Sequence, residues 1–344
     1  MISVSVIVPC YNMEEYVDRC MTSLLNQTLE NIEIILVNDA SQDNTLEILK
    51  RYEEQYENVI VIDSRINLKQ GGARNLGMDT AKGKYIGFVD PDDWIDETMY
   101  EKLYQIAEEK NCEIVKCYLD RVQELFDNVG DLIVEDDIVT IDSSIEGNIT
   151  VYAKGIESRH SGFGVCDAIF KRELLLENKL RFPENIFCED SYFRFFTDYF
   201  APRQAILEEV LYYYFFRKNS TTNISGAEEL LASKLLLLKD ITDRGFLDSD
   251  KDSIEAYFIN RYYHSIYISV EKDTDPPIET LTKLSNFMLK HFPNYQNNKH
   301  YLDKSGANEF VLRILKLNDM DPSALWNLIQ EDKSIKKIMT LNFG

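Results

Sequence analysis

The sequence predicts an α/β protein: a mostly parallel sheet flanked by helices, followed by an all-helical appendage at its C-terminal end. Three observations predict it. Short β-branched runs alternate with amphipathic helical stretches as far as about residue 120, and such βαβ units imply parallel strands joined by right-handed crossovers. The alternation then stops. From about Gly226 onward the pattern is helical, with no Gly-rich linker ahead of it.

In chain order, "VSVIVP" suits a strand buried on both faces. "EEYVDRCMTSLLNQ" places Tyr16, Cys20 and Leu24 at helical spacing, with Val17, Met21 and Leu25 beside them. "IEIILVND" is a second strand. Ser41 or Asp43 in "SQDNTLEILKRYEEQ" is placed to cap the helix that follows it. "NVIVID" is a third strand, "GGARNLGMDTAKG" a helix ending at Gly83, and "KYIGFVD" a fourth strand. "ETMYEKLYQIAEEKN" is amphipathic and leads into "CEIVKCYL". Residues 120–150 are acidic and irregular, a hairpin or lid; "ENIFCEDSYFRFFTDYF" is helical, and "QAILEEVLYYYFFRKNSTT" is strand running into loop. A boundary near residue 224 divides an α/β domain, 1–224, from a helical region, 225–344.

The 344 residues suffice for one large domain or two ordinary ones, and 44% apolar and 12% aromatic content marks a folded globular chain. A formal net charge of -22 argues against nucleic acid as a partner, because a phosphate binder shows a basic surface. From Thr280 on, nine Lys/Arg stand against six Asp/Glu, a solvated helical surface or one that meets an anionic acceptor or lipid headgroups. The six cysteines show neither Cys-x-x-Cys nor zinc spacing and are read as reduced, buried thiols of a cytosolic protein. "MISVSVIVP" lacks the basic start and long apolar run of a leader, and no stretch is apolar enough to span a membrane.

Ligands of parallel α/β sheets bind beyond the carboxyl ends of the strands. Polar groups gather at four such ends: Pro9 to Asn12, then Asn38 and Asp39, Asn67, and the acids of "FVDPDDW", Asp90, Asp92 and Asp93. No Gly-x-Gly-x-x-Gly or Gly-Lys-Ser/Thr phosphate loop is present. An ionised Asp39 only accepts hydrogen bonds, so it suits the imide N–H of uracil or thymine or the N–H of guanine, or else it caps the next helix. Crowded carboxylates are hard ligands matched to Mg2+ or Mn2+, ions that keep positions for water and substrate phosphate. An aspartyl-nucleophile phosphatase also carries Asp-x-Asp after a strand, but on the first strand and without the Trp94 that follows here.

Taken in order, "VSVIVPCYNMEEYV", "IEIILVNDASQDNT", "GGARNLGMDTAKGKYIGFVDPDDW" and "CEDSYF" resemble the successive motifs of family-2 glycosyltransferases of the GT-A fold, over residues 1 to about 222. The resemblance implies an inverting transferase with a UDP-sugar donor and Mn2+ or Mg2+. It implies that Pro9, Tyr11 and Asp39 hold the base and ribose with Asn67 and Arg74 nearby. Asp90 and Asp92 form the Asp-x-Asp, with Asp92 the metal ligand and Asp93 facing sugar or acceptor. Arg217 and Ser220 reach the diphosphate; Asp190 is the general base and Glu189 its positioning neighbour. Gly164 and Asp167 lie in the segment that shapes the acceptor floor. "KQGGARN" departs from the usual Ser- or Pro-containing turn, and the helical region matches no motif of the family. The expected acceptor is a free, lipid-linked or protein-linked glycan. The expected place of action is the cytoplasm, with peripheral contact at the inner face of the membrane and self-association through the C-terminal helices. A non-catalytic sugar-nucleotide-binding subunit and a nucleotidyltransferase are the alternatives. The first would lose the acids, and the second would carry a Gly-rich basic loop where "PCYNMEEY" stands.

Overall fold

A computed structural model describes residues 2–123, 149–153, 164–186, 188–216, 227–259, 278–294 and 298. The chain divides into two compact units, residues 1–154 with 162–220, and residues 155–161 with 221–344.

The first unit is built on one nine-stranded sheet: β1 (Val4–Cys10), β2 (Ile32–Asp39), β3 (Val59–Ser64), β4 (Tyr85–Phe88), β5 (Trp94–Ile95), β6 (Ile114–Gln123), β7 (Ile149–Ala153), β8 (Ala168–Lys171) and β9 (Arg203–Phe216). The order is β3-β2-β1-β4-β8-β6-β9-β5, with β7 also on β9. From β3 to β4 every pairing is parallel. Beyond β4 the sheet is mixed: β8 runs antiparallel to β4 and β6, β6 and β9 are parallel, and β5 and β7 run antiparallel to β9. The β-branched runs account for the first half, since Val6, Ile7, Val8 and Ile34 to Val37 are wholly buried between two helical layers.

The helices of this unit are α1 (Val17–Leu25), α2 (Thr45–Gln55), α3 (Lys69–Thr80), α4 (Met99–Lys110), α5 (Arg172–Glu177) and α6 (Glu189–Phe200). Asp43 accepts the Thr45 N–H at the start of α2. Helix α3 ends at Thr80 rather than Gly83 and begins on Lys69, whose φ of 64° lies in the left-handed region. A Cβ on Gly71 would meet the Pro183 carbonyl oxygen at 2.5 Å, so the first glycine of "GGARN" lets α3 approach the segment leading to α6. Asn75 then holds that segment at both ends of one residue: it donates to the Phe182 carbonyl (2.9 Å) and accepts the Phe182 N–H (3.0 Å).

Phe88, Phe170, Phe182 and Phe193 close the core here, with Phe182 stacked on Phe193 at 4.0 Å. Burying each ring contributes about 1.5–3 kcal/mol, and the ring pairs add roughly 0.5–1.5 kcal/mol. This cluster presses the first turn of α6 towards α3 and the end of β4.

In the second unit the described helices are Ala227–Asp243, Phe246–Ser249, residues 251–259 and Ile278–His291. No described helix is long and apolar enough to cross a membrane. The expected lid or hairpin of 120–150 falls for the most part on residues 124–148, outside the described residues, as does the chain from 299 on.

Candidate active site

Three segments far apart in sequence meet at Arg74, which is 1% exposed. Its Nη2 donates to Asp90 at 2.8 Å; its Nη1 donates to Glu189 at 2.7 Å and to Asp190 at 2.6 Å. Helix α3 supplies the cation, the turn after β4 supplies Asp90, and the first turn of α6 supplies the other two acids. Cys188, with φ 60°, is the left-handed residue at which the chain turns into α6. Arg74, expected near the base and ribose, lies between the Asp-x-Asp and the Glu-Asp pair.

One guanidinium facing three carboxylates leaves an excess of negative charge in a dry place. Burial works against the Arg74 charge, but Asp190, Asp90 and Glu189 more than offset it and hold the side chain protonated. Burial raises the Glu189 carboxyl, while Arg74 pulls it down. At Asp190 burial is again the largest cause, Arg74 opposes it, and Glu189 and Asp90 add to the rise; the carboxyl is pushed up to about 8, although 26% of the side chain reaches solvent. A base whose pKa lies near neutrality is better matched to taking a proton from a hydroxyl.

The acids of "DPDDW" divide. Asp93 is 1% exposed; it accepts from the Tyr212 hydroxyl and, at 2.8 Å, from the Phe215 N–H. It faces inward, towards β9, and not outward to sugar or acceptor as expected. Asp90 and Asp92 are half-buried, in a turn closed by the Asp93 N–H on the Asp90 carbonyl at 3.0 Å. Among the described residues no three His, Cys, Asp or Glu side chains form a metal-holding group. A pair of carboxylates fits Mg2+ or Mn2+, which need only one or two from the protein when phosphate and water complete the shell.

At the ends of the other strands, Asp39 accepts the Leu68 N–H at 2.7 Å, at the entry to α3 rather than on α2, and burial raises its carboxyl. Asn67 accepts the Lys69 N–H at 3.1 Å, Pro9 is buried within β1, and Tyr11 stands 40% exposed beyond it. Asp167 is buried; burial raises its carboxyl, while the nearby Arg194 and Lys116 pull it down. Arg217 and Ser220 lie outside the described residues.

Residues 5–151 match the model of Glycosyl transferase family 2. This part of the chain belongs to glycosyltransferase family 2. Over 99% of its length the chain is 29% identical to a poly(ribitol-phosphate) beta-glucosyltransferase of Bacillus spizizenii. Over 61% it is 35% identical to the uncharacterized glycosyltransferase EpsJ of Bacillus subtilis. It spans 52% and 60% of the lengths of these two relatives. The crystal structure of S. aureus TarS 1–349 in complex with UDP-GlcNAc shares the fold, with a TM-score of 0.71 at 20% identity, covering 96% of this chain and 91% of that one.

Asn75 and Tyr212 escaped the sequence reading of this family-2 domain. Asn75 adjoins Arg74 in "GGARN", and that adjacency is a usable signal. Tyr212 lies in a run of three tyrosines, whose pattern says strand and nothing about which hydroxyl turns towards the acids.

Proposed function

We propose that the chain is an inverting glycosyltransferase that moves a sugar from a UDP-sugar to a hydroxyl of a glycan or polyol-phosphate polymer. The observation that carries this reading is the Arg74 cluster, in which the Glu-Asp pair of α6 and the first acid of the Asp-x-Asp share one buried cation. The Glu-Asp pair and the acidic loop are thereby held side by side at the end of β4. The family-2 domain supports the reaction class, and the UDP-GlcNAc complex of the structural neighbour supports the donor. The poly(ribitol-phosphate) transferase, aligned with nearly the whole chain, supports a polymeric acceptor.

In this mechanism Asp190 accepts the acceptor's hydroxyl proton as that oxygen bonds to the anomeric carbon. The bond from that carbon to the diphosphate breaks on the opposite face, and its electron pair leaves with the nucleoside diphosphate. Glu189 and Arg74 orient Asp190, and Asp39 and Tyr11 hold the base and ribose. Asp92, with Asp90 beside it, would hold Mn2+ or Mg2+, which supplies charge neutralisation to the leaving diphosphate. Arg217 and Ser220 are assigned to the same diphosphate. Residues 225–344 serve acceptor presentation, contact with the inner face of the membrane, or self-association.

The test is release of UDP from UDP-glucose and UDP-GlcNAc with and without poly(ribitol phosphate), in Mn2+ and in EDTA. We expect acceptor-stimulated release that EDTA abolishes and Mn2+ restores. No release from any UDP-, GDP- or dTDP-sugar with any glycan or polyol-phosphate acceptor would falsify the reading.

A further inference from the structure

We infer that Arg19 is a positioning residue for the acidic turn, part of a clasp that ties Asp90–Asp93 to the end of β9. The inference rests on the proposed metal-assisted reading. Arg19 projects from α1, and its guanidinium lies between two rings, 4.2 Å from the centroid of Trp94 and 4.3 Å from that of Phe215. From there Nη2 donates to the Asp92 carbonyl at 2.6 Å. A planar guanidinium can lie flat between two rings and donate in its own plane at once; a lysine ammonium, a point charge, cannot stack this way.

A second arm closes on the same strand. The buried Asp93 carboxylate accepts the Phe215 N–H and the Tyr212 hydroxyl, and that hydroxyl accepts the Asp90 N–H at 3.2 Å. Phe215 thus meets Arg19 through its ring and Asp93 through its backbone. Trp94 stacks on Tyr213 at 5.6 Å, and the two residues of β5 pair with Tyr213 and Tyr212. So short a strand holds its register poorly alone; the clasp holds it.

The clasp fixes the peptide from which the Asp92 side chain springs and binds the turn to the end of β9. Retaining an arginine here has a cost, because its Nε is buried without a hydrogen-bond partner. An apolar side chain would fill the gap between the rings without that cost. What it could not do is hold the Asp92 carbonyl.

The test separates positioning from scaffolding. The full chain with saturating UDP is titrated with Mn2+ and the bound ion read by electron paramagnetic resonance; UDP affinity is measured separately in EDTA by calorimetry. Arg19→Met should weaken Mn2+ binding by about 10- to 100-fold, the usual effect of removing a partner that orients a metal ligand. UDP affinity in EDTA should stay at the wild-type value. Arg19→Lys, which keeps the charge and loses the planar fork, should fall between. Phe215→Leu removes one ring and keeps the Phe215 N–H contact, so it gives the same direction of effect should Arg19→Met not fold. Wild-type Mn2+ affinity in the folded variants overturns the inference and leaves the family reading intact. Equal losses of Mn2+ and of metal-free UDP binding overturn it too, since they mark general disruption. If the wild-type chain with UDP binds no Mn2+, the metal part of the proposed function falls, and the inference with it.

Discussion

Two buried charge clusters sit in the same sheet domain and are built differently. The Arg74 cluster sets one cation against three acids, with hydrogen bonds of 2.6–2.8 Å. The other sets Lys116 and Arg194 against Asp198 and Asp167; its contacts to Asp198 are 3.5 Å from Lys116 and 3.3 Å from Arg194. There Arg194 Nε, Nη1 and Nη2, Asp167 Oδ1 and Gln204 Oε1 have no hydrogen-bond partner. The first cluster is tightly bonded, overloaded with acid and open at the Asp190 tip. The second is balanced in charge, loosely bonded and sealed. Buried charge alone therefore does not pick out a candidate site; the first cluster differs in its surplus of acid and in the exposure of Asp190.

The largest expected effect breaks the first cluster at its centre. Arg74→Met leaves three acids facing one another, and losing one partner of a buried ion pair costs about 3–5 kcal/mol. Urea denaturation should show that loss. Lys116→Met should cost less, because Arg194 remains beside Asp198. Equal costs would mean that the two clusters do not differ in the way described.

Next comes the rate. Asp190→Asn keeps the shape, removes the basicity, and should lower kcat by at least about 10²-fold with donor affinity near wild type. Glu189→Gln should cost less. Wild-type kcat in Asp190→Asn places the base elsewhere. Away from both clusters, Asp39→Ala should weaken UDP binding by about 1–3 kcal/mol, the cost of an unpaired buried group, without altering the metal requirement. An unchanged Kd leaves Asp39 as a cap for α3 only.

The smallest effect is a pH profile that tells the clusters apart. Asp190 works as a base only when ionised, and its carboxyl is raised to about 8. Transfer should therefore climb as pH rises through that region and fall away below it. Burial lowers Lys116 to about 8 as well, with Arg194 adding to the fall. Since Lys116 lies in the sealed cluster, Lys116→Met should leave the step in place, and Asp190→Asn should remove it. A step that vanishes with Lys116 and persists in Asp190→Asn reverses the assignment.

The strand ends that make up the mouth were legible because strand and terminus are local signals. A run such as "IEIILVND" states in eight letters that it is buried on both faces and where its polar end falls, and β2 ends on Asp39 accordingly. The same reasoning placed the acids after β4 and the Glu-Asp pair on a helix. It did not show that α3 begins on Lys69, because a left-handed lysine leaves no trace in periodicity.

The sequence by itself determined the α/β alternation, the parallel half of the sheet and the segments that carry chemistry. Only the tertiary structure decided which acids are neighbours. Arg74 meets residues 115 and 116 positions further along the chain, and Asp93 turns inward because a tyrosine 119 positions away needs its carboxylate. The mixed pairing of β4 to β9 was decided there too. Burial along a strand is set by nearby residues and repeats at short period, so it can be read from the chain. Strand partners and the charges facing a carboxylate are set by segments a hundred residues away, brought together by a core of four phenylalanines. Burial first, with Glu189 and Asp90 adding to it, and not the identity of the residue, raises the Asp190 carboxyl.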